Sequence, residues 1–296
     1  MLVGREDALA RLHGAREDRG GLTLLVGDIG VGKSRLAESF ALAARESGAA
    51  ISCMSYGTSA DALQVSVLLR AQELRPGTVL VLDDLHRADR ASLELLRTLL
   101  PEIADAGALA IGTVDHHGRE PLAALGGFGT DRPITVIRVG GLDGRSLASV
   151  AERVACRPLP EPLLTALAVR SAGNPLFIAE LVRSIRAEGW LEDSEGAMVA
   201  LATWGRLEEV IAHRVRRLAG TCRQLLVQAA QLQVHFDLQA LRGRVERDTE
   251  SFLDLVDEAE REGFLEPSPW HAGRYRFSHP LHREIAGGHE RIARAS

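Results

Sequence analysis

The sequence predicts an α/β protein: a parallel sheet with helices on both faces, followed by a second, mostly helical part. In the first half, five short apolar runs alternate with amphipathic stretches, and no tight hairpin signal joins neighbouring runs. After Gly140-Gly141 the strand pattern stops and helical periodicity takes over. We therefore divide the chain into an α/β domain at 1–140, a helical lid subdomain at 141–205 and a winged-helix-like domain at 206–296.

The first domain begins with a helix and then alternates strands with helices. The helix that follows the first strand is expected to pack Leu36, Phe40 and Ala43 on one face. A glycine-rich stretch at 126–131 is expected to be a mobile loop. The predicted strands are 22–26, 49–54, 78–82, 108–113 and 134–139, and the predicted helices are 6–19, 35–46, 60–74 and 92–103.

A glycine loop joins the first strand to the next helix and fits the phosphate-binding pattern G-x-x-x-x-G-K-[ST] at every fixed position. Strand, glycine loop and helix N-terminus direct backbone N–H groups at a phosphate chain. Lys33 would reach the β- and γ-phosphates, and the Ser34 hydroxyl would ligate Mg²⁺. Lys33 is also the only lysine of the chain, although lysine and arginine together number 35. The predicted nucleotide-binding residues of this loop are Gly27, Asp28, Ile29, Gly30, Val31, Gly32, Lys33, Ser34 and Arg35.

Two aspartates follow the continuous apolar run at 78–82, which is typical of a strand buried on both faces. In doubly wound sheets the carboxyl end of such a strand lies beside the phosphate loop. We expect Asp83 to hold Mg²⁺, directly or through water, as the second acidic motif of P-loop enzymes does. Asp84 would orient or deprotonate the attacking water, so that Lys33 and Asp84 are the predicted catalytic residues.

The second half of the chain is predicted to be helical and to end in a hairpin. The stretch 192–205 is weakly patterned and is expected to be a linker. Arg214, Arg216 and Arg217 are expected to form a solvated helix face. Helices followed by a hairpin with a wide loop resemble a winged helix. The predicted helices are 145–155, 162–170, 175–188, 207–218, one or two within 221–241, and 252–262; the hairpin pairs 264–266 with 274–278.

Composition narrows the class of protein. A net charge of −5 gives no general attraction to nucleic acid or to an anionic membrane. Cys53, Cys156 and Cys222 suggest neither a disulfide framework nor a metal site, and a reducing cytoplasm is the simplest setting. No apolar run approaches the ~18 residues needed to span a bilayer.

Several motifs in the same order resemble the STAND class of P-loop ATPases, an AAA-type ATPase domain, and most closely the ATPase modules of large LuxR-type transcription regulators. Besides the phosphate loop, the chain carries the family's opening V-G-R-E, D-D-L-H-x-A-D, G-N-P-[LF]-[FY] and F-x-H-x-L elements. They lie at Val3–Glu6, Asp83–Asp89, Gly173–Phe177 and Phe277–Leu281.

This resemblance implies an ATP/ADP site with Mg²⁺ and adds residues to it. It implies that Val3, Gly4 and Arg5 border the adenine and that Pro175 packs near the base. It also implies that His279 contacts the β-phosphate of bound ADP.

The chain departs from the family pattern at three places. Arg87 replaces the usual tryptophan, and the segment 56–77 is shorter than usual. Asp115 stands near the place where the family often has an arginine that reads the γ-phosphate, which implies weak γ-phosphate sensing or weak hydrolysis.

Four functions remain open from the sequence. The first is a regulatory switch ATPase whose partners are an adenine nucleotide and either further copies of itself or an effector. The second is a DNA-binding initiator-type ATPase, which the acidic balance disfavours. The third is a nucleotide-binding scaffold without hydrolysis, and a small-molecule kinase is the fourth.

Overall fold

The computed structural model describes residues 2–18, 20–55, 74–115, 134–232, 234–245, 248–270 and 272–288. The chain forms two units, Met1–Ser146 and Leu147–Ser296. The helix predicted at 60–74 and the loop predicted at 126–131 lie outside the described residues, apart from Leu74.

The first unit is built on a parallel five-stranded sheet. Its strands are β1 (Gly21–Gly27), β2 (Ile51–Ser55), β3 (Val79–Asp83), β4 (Leu109–Asp115) and β5 (Thr135–Arg138), and they lie in the order β2-β3-β4-β1-β5. Every neighbouring pair is parallel. The described helices of this unit are α1 (Glu6–Glu17), α2 (Lys33–Glu46) and α3 (Arg90–Asp105), with a 3₁₀ turn at Leu85–Arg87. The predicted parallel α/β sheet is therefore confirmed.

Strand order places β1 and β3 on either side of β4. In register, Gly27 at the end of β1 pairs with Asp115 at the end of β4. Because all strands are parallel, the loops after β1, β3 and β4 leave the same edge of the sheet. The core strands are apolar on both faces, as expected for parallel strands covered by helices.

Helix α2 is anchored on the sheet by an apolar face. Leu36 and Phe40 are buried as predicted, whereas Ala43 is exposed and Ala44 is buried in its place. The buried positions Leu36, Phe40 and Ala44 follow an i, i+4, i+8 pattern on one helix face. This packing positions the N-terminus of α2, which directly follows the glycine loop.

The second unit continues helix α4 (Gly144–Ala155), which begins in the first, and has a series of helices with a small antiparallel sheet. The helices are α5 (Glu161–Ser171), α6 (Pro175–Ala187), α7 (Ser194–Thr203), α8 (Leu207–Arg217), α9 (Gly220–Ala230), α10 (Leu238–Arg242), α11 (Thr249–Arg261) and α12 (Pro280–Ala286). The strands are β6 (Phe236–Asp237), β7 (Leu265–Pro267) and β8 (Arg274–Phe277), in the order β6-β8-β7. The predicted hairpin is confirmed as β7 and β8, while β6 was not predicted.

The linker predicted at 192–205 is wrong, because α7 occupies most of it. The Asp193 side chain accepts hydrogen bonds from the backbone N–H groups of Glu195 and Gly196 and so starts the helix. Ala197, Ala200 and Leu201 are buried at helical spacing. Alanine contributes little to a hydrophobic pattern in sequence, which explains why this apolar face was missed.

The prediction of a solvated arginine face holds for Arg216 and Arg217 and is wrong for Arg214. The first two are exposed, whereas Arg214 is only 4% exposed. Its guanidinium donates to Glu180 Oε2 at 2.6 Å and lies 4.7 Å from the centre of the Phe264 ring. Arg214 therefore joins α8 to α6 through a buried ion pair.

Candidate nucleotide-binding site

The glycine loop between β1 and α2 has a shape that only glycine allows at two positions. Gly32 has φ +94°, in the left-handed region, where a side chain would be strained. A Cβ at Gly27 would lie 2.2 Å from the Val139 carbonyl oxygen. No side chain of the described residues caps α2 at Gly32. The first amides of the helix are therefore available to an anion, as in other phosphate-binding loops.

Lys33 lies at the start of α2 and its side chain is almost fully buried. Its ammonium donates to the carbonyl oxygens of Gly27 and Asp28, each at 2.9 Å, and to Asp115 Oδ1 at 2.5 Å. A lysine ammonium has three donors, so all three are used. The lysine thus lies folded back over the loop, with one carboxylate in contact.

Asp83, the last residue of β3, accepts two hydrogen bonds on the same oxygen. Ser34 Oγ and Thr113 Oγ1 each donate to Asp83 Oδ1 at 2.7 Å. The hydroxyl and the carboxylate predicted to ligate Mg²⁺ are therefore adjacent, and they offer the hard oxygen donors that Mg²⁺ prefers. Mg²⁺ would take few protein ligands here and complete its shell with water and phosphate oxygens. Elsewhere in the described part of the chain, no group of three or more His, Cys, Asp or Glu side chains is arranged to hold a metal ion.

Asp84 follows Asp83 and has a left-handed backbone, with φ 54°. Its backbone N–H donates to Thr113 Oγ1 at 2.8 Å, which holds this unusual turn in place. Burial, and after it the charge of Asp83, raises the pKa of the Asp84 carboxyl to about 7. A carboxylate with a pKa near the working pH has the property expected of a general base.

The N-terminal segment lies against the glycine loop through Arg5. One guanidinium nitrogen of Arg5 donates to the carbonyl oxygens of Val31 and Gly140, both at 2.8 Å. At Gly4 a Cβ would lie 2.4 Å from Ser146 Oγ, so the N-terminal segment approaches the first turn of helix α4 closely. Arg5 thus ties the loop to the chain after β5. The predicted contact of Val3, Gly4 and Arg5 with adenine stays a prediction.

Pro175 and His279 belong to the second unit, and both begin helices there. Pro175 is the first residue of α6, after Asn174, whose side chain accepts from the N–H groups of Leu176 and Phe177. His279 precedes α12, and its Nδ1 accepts from the Leu281 N–H at 3.1 Å. Their predicted contacts with adenine and with the β-phosphate stay predictions.

Thr113 and His86 were not predicted as site residues. Thr113 is fully buried at the end of β4 and contacts both aspartates of the site. His86 Nε2 lies 3.2 Å from Asp115 Oδ2. The sequence signal for Thr113 was a polar residue in an apolar strand beside Asp115, and it becomes informative only once strand order is known.

The comparisons with known proteins concern the family and the fold. Residues 1–75 match the family model described as the AAA ATPase domain. No curated protein sequence matches the chain significantly. In the part of the chain that the structure describes, no helix is long and apolar enough to cross a membrane.

Two kinds of solved structure are similar over most of this chain. One is the Holliday junction branch migration motor RuvB from Thermotoga maritima, with 20% identity, a TM-score of 0.50 and coverage of 92% of this chain and 91% of that chain. The other is a Signal Transduction ATPase with Numerous Domains (STAND) protein with a tetratricopeptide repeat sensor from Pyrococcus horikoshii. It has 18% identity and a TM-score of 0.62, and the match covers 96% of this chain but 42% of that one. At these identities the likeness concerns the fold, and the fold of the first unit is that of P-loop NTPases.

Proposed function

We propose that this protein is an ATP/ADP-binding switch ATPase, similar to STAND proteins, that couples its nucleotide state and slow hydrolysis to a conformational change in signalling or transcription regulation. The observation that carries the proposal is the meeting of Lys33, Ser34, Asp83 and Asp84 at one edge of the parallel sheet. These are the side-chain types that a phosphate loop, a magnesium site and a general base require. The AAA ATPase family match at residues 1–75 and the STAND structural neighbour support the same class.

The chain's own groups divide the chemistry among them. The glycine loop and the first amides of α2 bind phosphate oxygens, and Lys33 neutralises their charge. Ser34 and Asp83 would hold Mg²⁺, which when bound neutralises charge on the β- and γ-phosphates. Asp84 takes a proton from water, or orients it, for in-line attack on the γ-phosphate.

The regulatory part of the proposal concerns the second unit. We propose that helices α4 to α7 form the lid and that α8 to α12 with β6 to β8 form the winged-helix-like domain. A switch needs a difference in nucleotide binding free energy between two arrangements of such parts. Pro175 and His279 are the residues that we propose would read the base and the β-phosphate. The conformational change would act on further copies of this protein or on an effector protein.

A turnover assay tests the catalytic part. Phosphate release from Mg-ATP is measured for the wild type, for Asp84→Asn and for Asp105→Asn, the same change on the exposed last residue of α3. We expect wild-type turnover well below the ~10 s⁻¹ of a typical enzyme. We expect Asp84→Asn to lower it by about 100-fold or more. Asn tolerates the left-handed backbone of Asp84, so the loss would be chemical rather than structural.

The outcomes separate the candidates. Turnover that is unchanged in Asp84→Asn would show that Asp84 is not the base. Tight nucleotide binding without any turnover in the wild type would favour the scaffold over the ATPase.

The structural likeness to RuvB, a branch migration motor, keeps a DNA-dependent ATPase as the second candidate. Adding duplex or branched DNA to the same assay distinguishes it, because a DNA motor would be stimulated several-fold. The net charge of −5 leads us to expect no stimulation.

A further inference from the structure

Asp115 forms an ion pair with Lys33, the lysine that a bound nucleotide would need. It is the last residue of β4, in register with Gly27 at the start of the glycine loop. Its Oδ1 lies 2.5 Å from Lys33 Nζ, and both side chains are largely buried, with 14% and 6% exposed. The other two donors of the ammonium are bound to the loop's own carbonyl oxygens. A phosphate oxygen can therefore reach Lys33 only by displacing one of these three acceptors.

His86 lies on the other side of the carboxylate. Its Nε2 lies 3.2 Å from Asp115 Oδ2. Burial lowers the pKa of His86 and so favours the neutral imidazole, which does not cancel the charge of Asp115. Lys33 therefore remains the charged partner of this carboxylate, and the negative charge stays beside the loop.

The position of the Asp115 carboxylate affects how well a γ-phosphate can bind. Strand β4 lies between β1, which carries the loop, and β3, which carries Asp83. The γ-phosphate of a bound nucleotide would lie between the glycine loop and Asp83, the residue that would hold Mg²⁺. A γ-phosphate would add negative charge beside Asp115 and compete with it for the same ammonium. A diphosphate brings less charge to this region.

We propose that Asp115 is a specificity-determining residue that makes the site prefer nucleoside diphosphate to nucleoside triphosphate, by pairing with the Lys33 ammonium that a γ-phosphate requires. The inference rests on the proposed nucleotide site and concerns which phosphate chain the site favours. In a P-loop site the lysine normally serves the nucleotide alone. Here an Asp115 carboxylate oxygen takes the place of a phosphate oxygen beside the Lys33 ammonium.

The test compares ADP with a non-hydrolysable ATP analogue. Isothermal titration calorimetry in Mg²⁺ measures both affinities for the wild type, for Asp115→Asn and for Asp105→Asn, which removes an equal charge on an exposed helix end. Asp115→Asn keeps the size of the side chain and one acceptor oxygen, replaces the second oxygen by an NH₂ donor, and removes the charge. We expect the wild type to bind ADP more tightly than the analogue. In Asp115→Asn the ratio of the two affinities should fall by about tenfold or more, mostly through tighter binding of the analogue. Asp105→Asn should leave the ratio unchanged.

A ratio that is the same in Asp115→Asn and in the wild type would overturn the inference while leaving the nucleotide site intact. Absence of any nucleotide binding by the folded wild type would overturn the site and the inference together. The two failures are therefore distinguishable in one set of titrations.

A second measurement on the free protein does not depend on nucleotide. Because Lys33 is the only lysine, labelling with lysine that carries ¹⁵N at Nζ gives one ammonium NMR signal. We expect this signal to move in Asp115→Asn, or in Asp115→Ser if the first variant does not fold, and to stay in place in Asp105→Asn. An unmoved signal in a folded Asp115 variant would show that the Lys33–Asp115 contact does not exist and would overturn the inference.

Discussion

Replacing Glu180 by Gln should strongly destabilise the second unit. The Glu180 carboxylate is fully buried in α6, and two arginines and a histidine lie around it. Arg214 donates to Oε2 at 2.6 Å, Arg183 donates to Oε1 at 2.9 Å, and His282 Nε2 lies 3.4 Å from Oε1. Burial alone would raise the pKa of Glu180, but these partners outweigh it and hold the pKa well below its usual value. The carboxylate is therefore ionised at neutral pH and bound on both oxygens.

The size of the loss follows from what the substitution leaves behind. Gln cannot balance the charge of Arg214, which is itself 4% exposed, so among the described side chains this buried guanidinium keeps only the partly exposed Glu262 carboxylate, 3.1 Å away, as an anionic partner. Breaking one side of a buried ion pair costs about 3 to 5 kcal/mol. For a unit of this size, each kcal/mol lowers the melting temperature by about 2 to 4 °C, so the shift should be roughly 6 to 20 °C.

Differential scanning calorimetry and guanidinium unfolding of the whole chain measure this loss. The matched control is Glu192→Gln, which removes one side of the exposed Arg157–Glu192 pair in the same unit and should cost less than about 1 kcal/mol. The double variant Glu180→Gln/Arg214→Met should recover part of the stability, because no buried cation remains at position 214. If Glu180→Gln behaves like Glu192→Gln, the assignment of Glu180 as a buried, ionised partner is refuted.

Three further changes have defined outcomes. Without metal, in EDTA, Asp84→Asn should be more stable than the wild type, with the gain growing as pH rises from about 4 to about 7 and reaching roughly 2 to 4 kcal/mol. Over this range the Asp84 carboxyl ionises in the unfolded chain but stays protonated in the folded one, so the wild type loses stability as pH rises. Urea unfolding across pH checks this, and a flat difference contradicts it. Arg5→Met should lower the free energy of unfolding in guanidinium by about 2 kcal/mol and speed amide exchange in the glycine loop, because the Val31 and Gly140 carbonyls lose a charged donor. Unchanged exchange would show that Arg5 does not hold the loop. Asn174→Ala should cost about 1 kcal/mol in thermal unfolding through loss of the α6 N-cap, while Asn174→Asp should retain most of the stability, and equal losses in both would contradict the capping role.

The residues that carry local patterns were predictable from sequence. The glycine loop, the buried strand before Asp83 and the alternation of strands and helices depend on neighbours in the chain, so that periodicity and motif spacing were enough. The P-loop NTPase fold of the first unit followed from them. The hairpin of β7 and β8 was found for the same reason.

Contacts set by strand order were not predictable. The order of the five strands could not be predicted from local patterns, and only the position of β4 between β1 and β3 brings Asp115 to Lys33 and Thr113 to Asp83. A departure from the family pattern drew attention to Asp115, but its partner became visible only in the structure.

The burial of charged side chains could not be predicted from sequence either. Arg214 lies in a run with Arg216 and Arg217, which reads as a solvated face, and its partner Glu180 is 34 positions away. Periodicity assigns a charged residue to the outside of a helix, whereas a distant carboxylate can draw it inside. His282 is likewise buried, and it lies against Ser278, Phe264 and Glu180, which lie outside its own helix.

The measurement that tests the account most directly is nucleotide binding by the purified protein, with Lys33→Ala as the comparison. Bound nucleotide is released by acid, identified by chromatography and counted per chain, and affinities for ADP and ATP are then measured on nucleotide-free protein. We predict close to one adenine nucleotide per chain in the wild type and a loss of affinity of about tenfold or more in Lys33→Ala, which removes a charged phosphate contact. Failure of the folded wild type to bind either nucleotide, or equal affinities in wild type and Lys33→Ala, would contradict the assignment of this edge of the sheet as a nucleotide site.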